Sequence, residues 1–515
     1  MDTKKGIKNV IVSITFKIIL LVSSIFVRNF LIRYIGNDIN GLNSLYISLI
    51  GFLSVAELGV GSAITFCMYK PIVEGDNSKV AALYQLFKKL YLIICGAIFA
   101  IGMAMMPFLQ YIVKDYSSVN VNIYFTFFLI VISVVVSYLF SAKTSLINAY
   151  KNNYITTTIT SLGMLLQHVL QLIVLVKTAS FEWYLVCRII SIVVQWVATE
   201  FIVRKQHNDI LKHEKVKLDN DTKARVVTNI KAMFMHRVGS VLVNSVDSVI
   251  ISSFIGIVVL GLYSNYITIV NNVVAVISLF FTPFIPIIGH YCVKKESALE
   301  GYYSFFHSFN FILGVIFFLG YYATIDNIIT ILFGDGLIVP KAVSLVITLN
   351  YFIQFMRQST LLFRDAMGLF YNDRWKPIVE GVANTILSIA FVLLFRKIGG
   401  EAIEVVGVVV ATIITNLLVC HVIEPYVLYK NGFDTPVRKF YFKNYAYMVA
   451  FAVVLLIMDK CMLSFSSQWK ELLINGSISV LFSIAITAII VFLDANFRRY
   501  LIVCFRKINI FKKKN

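Results

Sequence analysis

The stretch NVIVSITFKIILLVSSIFVRNFLIR, residues 9–33, holds 25 residues and three charges, all of them positive: Lys17, Arg28 and Arg33. A helix rises about 1.5 Å per residue and the hydrocarbon layer is about 30 Å thick, so about 20 apolar residues cross it. Residues 9–33 cross it with length to spare. The run is too long for the apolar core of a cleaved leader and has no small-residue cleavage site after it, so it reads as a first transmembrane helix. A cation near the bilayer centre costs about 3 kcal/mol on insertion scales, which is tolerable where the residue faces a watery interior.

Thirteen further apolar runs follow, at 43–67, 90–112, 122–141, 156–176, 183–203, 233–255, 262–288, 304–325, 342–363, 377–395, 403–423, 444–464 and 472–493. Asp459 and Lys460 interrupt the end of the run at 444–464. With 59% hydrophobic and 14% charged residues over 515 positions, most of the chain could not be hidden in a soluble core. The fold class expected is an all-α polytopic membrane protein of about 14 transmembrane helices.

The formal charge of +19 could point to nucleic acid, and its distribution decides otherwise. With the N-terminus inside, the inner segments hold 33 of the 46 Lys and Arg, the outer loops hold 7, and 6 lie within spans. That is the positive-inside pattern, and it predicts cytoplasmic termini and a multi-pass protein of a bacterial cytoplasmic membrane with no nucleic-acid partner. The seven cysteines are dispersed without a CxxC pair, so neither metal nor disulfide is expected.

An internal repeat appears at an offset of 220 residues. Lys17 falls on Arg237, Ile35-Gly36 on Ile255-Gly256, Gly41-Leu42 on Gly261-Leu262, and Tyr46 on Tyr266. Two six-helix halves holding substrate between them near the midplane are a common plan of secondary transporters. The expected organisation is an N-lobe at 1–205, a cytoplasmic linker at 206–229, a C-lobe at 230–428, an appended helix pair at 429–493 and a basic tail at 494–515. The tail interleaves Arg498, Arg499, Arg506 and Lys507 with aromatic and aliphatic residues and reads as a surface helix anchoring to an anionic leaflet.

Three passages point to a family: SVAELGVGSAITFCMYKPI (54–72), NSVDSVIISSFIGIVVLGLYSNY (244–266) and FRDAMGLFYNDRWKPIVEGVANTILSI (363–389). They resemble the polysaccharide-export, Wzx-type branch of the multidrug/oligosaccharidyl-lipid/polysaccharide (MOP) flippase superfamily. The resemblance implies a V-shaped bundle of two pseudo-symmetric lobes around a central cavity. It also implies that the chain flips undecaprenyl-pyrophosphate-linked oligosaccharide repeat units from the inner to the outer leaflet. The partners implied are that lipid-linked glycan, membrane lipids, a polysaccharide polymerase and glycosyltransferases. Arginines of the first helix line the cavity in lipid II flippases of the superfamily, and Arg28 and Lys17 are the positions to which that role carries over.

The polar residues inside the spans fit such a cavity. Lys17 and Arg28, eleven apart, differ by about 20° around their helix and lie about 16 Å apart along it. Arg237, Arg357 and Arg188 complete the expected cationic set, because a guanidinium meets phosphate oxygens bidentately where water is scarce. Asn244, Gln354, Gln167, Gln171 and Gln195 are the expected polar lining, able to bond sugar hydroxyls; hydrogen bonding between helices is their structural alternative. Asp247 and Glu57 are the carboxylates within spans that could bind a coupling proton or sodium ion. The alternatives are that Asp247 pairs with a cation such as Lys17 and that Glu57 stitches a helix end.

No catalytic fingerprint, P-loop or cofactor motif occurs, and Asp219-Asn220-Asp221 reads as a solvated turn, so no enzyme and no cofactor beyond a coupling ion is expected. Five internal cations against two midspan acids argue against a cation-coupled drug exporter of the same superfamily. Short outer loops argue against a membrane glycosyltransferase or polymerase. A lipid II flippase remains a rival reading.

Overall fold

The computed structural model describes residues 3–57, 60–114, 116, 119–212, 241, 245–281, 288, 299–369, 372–433 and 435–502. All regular elements among them are helices. Those of the first half are α1 (Thr3–Tyr34), α2 (Asn37–Leu53), α3 (Val60–Glu74), α4 (Asn77–Met105), α5 (Ile123–Leu139), α6 (Ser141–Ala149), α7 (Asn153–Thr178) and α8 (Phe181–Gln206). After them come α9 (Ile257–Phe281), α10 (Leu299–Phe333), α11 (Lys341–Met356), α12 (Gln358–Ala366), α13 (Lys376–Arg396), α14 (Glu401–Thr415), α15 (His421–Leu428), α16 (Arg438–Cys461) and α17 (Gln468–Leu493). Short polar side chains start several of them. Asp76 accepts from the Lys79 amide at 2.9 Å, Asn122 from those of Tyr124 and Phe125 at 3.1 Å, and Ser180 from that of Trp183 at 3.3 Å.

Among the described residues, 11 helices are long and apolar enough to cross a membrane. Three of the fourteen expected spans are not among them. The span expected at 233–255 lies mostly outside the described residues, leaving a short apolar helix at Ser245–Ile255. The other two are broken helices. At 43–67, α2 gives way to a tight turn at Ser54–Glu57, where the Ser54 hydroxyl donates to the Gly51 carbonyl at 2.6 Å and competes with the helix ladder. At 342–363, the chain breaks at Arg357 between α11 and α12. Conversely, α16 runs through Asp459 and Lys460 to Cys461, its Asp459 carboxylate accepting from the Tyr322 hydroxyl at 2.6 Å.

The chain forms two compact units, Met1–Gly261 and Leu262–Asn515. Their boundary falls inside α9; the linker expected at 206–229 lies mostly outside the described residues. In the first unit α7 packs between α1 and α8, and α5 packs on α4 and α8. In the second, α10 is the most buried long helix, with α11 and α17 along it, while α13 pairs with α14. The helices of 429–493 are thus built into this unit. Asn327 donates to Gln468 at 2.7 Å, and Asp494, just past α17, accepts from Ser308 at 2.7 Å and Lys443 at 2.8 Å. Burial opposes the Asp494 charge, but those donors hold its carboxyl below the usual carboxylate range.

The repeat has a structural counterpart. Gly36 and Gly256, 220 apart, both precede a helix with left-handed backbone, φ +122° and +156°. Within the first unit the two repeat-equivalent segments meet face to face. Asn37 donates to the Val258 carbonyl at 3.0 Å and Asn40 to the Gly261 carbonyl at 3.3 Å. A Cβ on Gly41 would strike the Ile257 carbonyl oxygen, and one on Gly261 would strike that of Asn37. Backbone cannot give way as a side chain can, so Gly41→Ala is expected to destabilise the protein by about 1–3 kcal/mol, the usual range for overpacking. A thermal-unfolding midpoint in detergent equal to that of the parent would refute this.

Candidate functional site

The break at Arg357 is built by its neighbours. The Arg357 amide turns to the Gln354 carbonyl at 3.2 Å, which releases the carbonyl of Ile353 from the helix ladder. The His421 Nε2 lies 2.9 Å from that oxygen and must carry the proton, because a carbonyl only accepts. Asn310 donates to the carbonyls of Phe355 at 3.0 Å and Met356 at 3.3 Å. Irregular backbone in a membrane protein persists where protein groups satisfy it, and here two side chains do so. The partner segment is irregular too: a π-helical turn at Asn416–Cys420 separates α14 from α15, and Pro425 lies within α15.

Between these irregular segments sits a closed ring of charge in the second unit. The Arg357 guanidinium meets Glu424 bidentately, Nη2 to Oε1 at 2.6 Å and Nε to Oε2 at 3.1 Å. Its Nη1 donates to Glu380 at 3.1 Å and to the Asn416 side-chain oxygen at 2.8 Å. Lys376 closes the ring, donating to Glu380 at 2.8 Å and Glu424 at 2.6 Å. Two cations and two carboxylates cancel, and the side chains of Glu424 and Lys376 are 1% and 4% exposed. Burial of four charges is tolerable only in such a paired, hydrogen-bonded arrangement.

This corrects the sequence reading at two points. Arg357, expected as a substrate-facing cation, is occupied by Glu424 and Glu380. The balance of five internal cations against two acids overlooked Glu380, Glu404 and Glu424; Glu404, for its part, accepts from Arg396 at 3.0 Å. The missed signal was present: Lys376 and Glu380 are four apart on one helix face, and 363–389 contains both. Glu424 escaped because the expected span stopped at 423.

In the first unit the arrangement of cations is different. Arg28 on α1 and Arg188 on α8 are half-buried, and Tyr184, buried one turn before Arg188, lies within electrostatic reach of both. Arg188 makes no ion pair among the described residues. The helix between them supplies polar support: Gln171 of α7 donates to the Tyr184 carbonyl at 3.1 Å, Gln167 donates to Gln171 at 3.4 Å, and His168 Nδ1 pairs with the Ser23 hydroxyl of α1 at 2.7 Å. So Arg28, Arg188, Gln167 and Gln171 are gathered on three adjacent helices. Lys17 shares the Arg28 face but is exposed. Arg237 and Asn244 lie outside the described residues.

Two other expected lining residues bond within their own helices, and Gln195 also lines a polar cavity of the first unit. Gln195 is buried, its amide donating to the Ser191 hydroxyl at 3.1 Å, and Ser191 in turn donates to the Gly163 carbonyl of α7 at 2.6 Å. Gln354 donates to the buried Asn350 at 3.2 Å. Of the two carboxylates, Asp247 is half-buried in the short helix Ser245–Ile255. Glu57, at the α2–α3 break, accepts from the hydroxyls of Tyr91 and Tyr138, each at 3.1 Å.

No protein-family model matches the chain, and no curated protein matches it. Solved structures do resemble it. The lipid II flippase MurJ in an inward closed conformation is 14% identical, with 94% of this chain and 99% of that one covered at a TM-score of 0.62. An inward-facing multidrug resistance MATE family transporter of the MOP superfamily is 12% identical, with 86% and 98% covered at 0.57. At such identities the likeness is one of fold. The chain shares the all-helical fold of these two structures, one named as a flippase and the other as a transporter.

Proposed function

We propose that this protein flips an anionic polyprenyl-pyrophosphate-linked oligosaccharide from the inner to the outer leaflet of a bacterial cytoplasmic membrane, with both termini cytoplasmic. The observation that carries the reading is the convergence of Arg28 and Arg188 on Tyr184. Both guanidinium groups act on the one buried tyrosine, and each carries a planar donor fork that can meet phosphate oxygens bidentately. The charge ring of the second unit, by contrast, is already neutral and offers a phosphate no net attraction. The neighbour named as a lipid II flippase supports lipid-linked cargo in general, and the Wzx-like passages favour an oligosaccharide repeat unit over lipid II.

The test is flipping by the purified protein in proteoliposomes, with three cargoes compared: an undecaprenyl-pyrophosphate-linked oligosaccharide, lipid II and a lipophilic cationic drug. Fastest flipping of the first is expected. An inside-negative potential should accelerate it, because each negative charge moved outward releases about 2.3 kcal/mol per 100 mV. Transport of the drug alone would overturn the reading. In the same assay Asp247→Asn is expected to slow flipping and leave its acceleration by the potential intact; a strict demand for a proton or sodium gradient at zero potential, lost in Asp247→Asn, would instead make that carboxylate a coupling site.

A further inference from the structure

We propose that a polar cavity of the first unit binds an uncharged sugar ring, with Glu57 as hydrogen-bond acceptor and Phe66 and Tyr69 as stacking surface. The inference deepens the flippase reading and rests on it for the origin of the sugar. The cavity measures about 640 Å³, within the range of ligand pockets at roughly 300–1,000 Å³. Its walls come from α3, α4, α6, α7 and α8 and the α2–α3 break. Apart from Gly61, only Phe66 and Phe140 among its lining residues lack a polar side-chain atom.

The carboxylate is held and aimed. Each Glu57 oxygen takes one tyrosine hydroxyl, from Tyr91 and Tyr138 at 3.1 Å, and an ionised carboxylate has about four acceptor positions, so about two are left for a ligand. The tyrosines are themselves fixed: the Tyr91 ring stacks on Phe87 at 5.0 Å and 4°, and on Tyr138 at 5.9 Å. A Cβ on Gly61 would lie 2.8 Å from the Tyr91 hydroxyl and 3.3 Å from Glu57 Oε1, so the missing side chain keeps the carboxylate open to the cavity. At the rim, Phe66 and Tyr69 pack edge to face at 6.2 Å and are 67% and 45% exposed.

The occupant follows from the chemistry. Thr65, Ser141 and Thr144 already donate to carbonyls of their own chain, but a wholly apolar ligand would still cover the remaining acceptor positions of the Glu57 carboxylate, which is costly. A phosphate would meet the like charge of Glu57. A sugar ring offers hydroxyls in its plane to Glu57 and the amides, and C–H faces to the aromatic pair. The cavity therefore differs in kind from the Arg28 and Arg188 site, and could take the glycan while the cations take the pyrophosphate.

Full-length protein in lipid nanodiscs, titrated with a panel of methyl glycosides and followed by saturation-transfer NMR, tests the site. At least one glycoside is expected to bind saturably in the millimolar range. Glu57→Gln and Gly61→Ala should each weaken it by about fivefold or more, because a charged acceptor bonds more strongly than a neutral one and the methyl narrows the approach. Phe66→Ala, at an exposed position, serves where either variant fails to fold. Inorganic pyrophosphate should not displace the glycoside. The site is overturned by absence of glycoside binding, by unchanged affinity in the folded variants, or by displacement with pyrophosphate or tetramethylammonium. Glycoside binding without flipping of any lipid-linked cargo would remove the flippase reading and leave the site; flipping without glycoside binding would remove the site alone.

Discussion

Arg28→Ala is expected to reduce flipping of a pyrophosphate-linked glycan by about 100-fold or more, while the protein still inserts and melts near the parent temperature. Truncating one partner of a desolvated charge contact costs about 2–5 kcal/mol, and each 1.4 kcal/mol is about tenfold in rate. Arg28→Lys should recover part of the activity, because the charge survives and the bidentate fork does not. Arg188→Ala is expected to cost less, about tenfold, since Arg28 remains beside Tyr184. The three variants are compared by initial flipping rates in proteoliposomes at matched protein density. Unimpaired flipping by Arg28→Ala would remove the anion from this site.

Glu424→Gln should act on the fold rather than on cargo. It leaves Arg357 and Lys376 sharing Glu380 alone at a site where Glu424 is 1% exposed, and breaking a buried ion pair costs about 3–5 kcal/mol. A marked fall in the thermal-unfolding midpoint is expected. Removing a cation together with the anion restores neutrality, so Lys376→Met combined with Glu424→Gln should be less destabilised than Glu424→Gln alone, a coupling that a double-mutant cycle measures directly. If Glu424→Gln melts with the parent and loses flipping instead, the ring is a switch that opens to cargo, and Arg357 returns to the cationic set.

The ring also shows where sequence reading reached its limit. Its four members come from 357, 376, 380 and 424, at the α11–α12 break and on α13 and α15, and only the i,i+4 pair Lys376 and Glu380 is a local pattern. Periodicity shows which residues share a face of one helix; it carries no information on which face of another helix lies opposite. Arg357 and Arg28 look alike in a hydropathy reading, each an arginine inside an apolar run. One meets two carboxylates from distant segments; the other acts, with Arg188, on the buried Tyr184. The same limit applies to the glutamines: packing turned Gln171 to the Tyr184 carbonyl of a neighbouring helix and placed Gln195 at the wall of a cavity.

What the sequence determined by itself was the class and much of the plan. Runs such as 9–33 can satisfy their backbone in a bilayer only as helices, and that constraint needs no partner. The 220-residue repeat was equally legible, because Gly36 and Gly256 mark backbone that a side chain would strain, and such a requirement is local. Tertiary structure decided the broken span at Arg357, where the released carbonyls need donors such as His421 and Asn310 from distant segments. It decided as well that Gly41 meets the turn of helix before Gly261, and that Glu57 lies between Tyr91 and Tyr138 at the wall of a cavity. These are contacts between residues 34 to more than 200 positions apart, and they exist only once packing has set the rotation of each helix about its own axis.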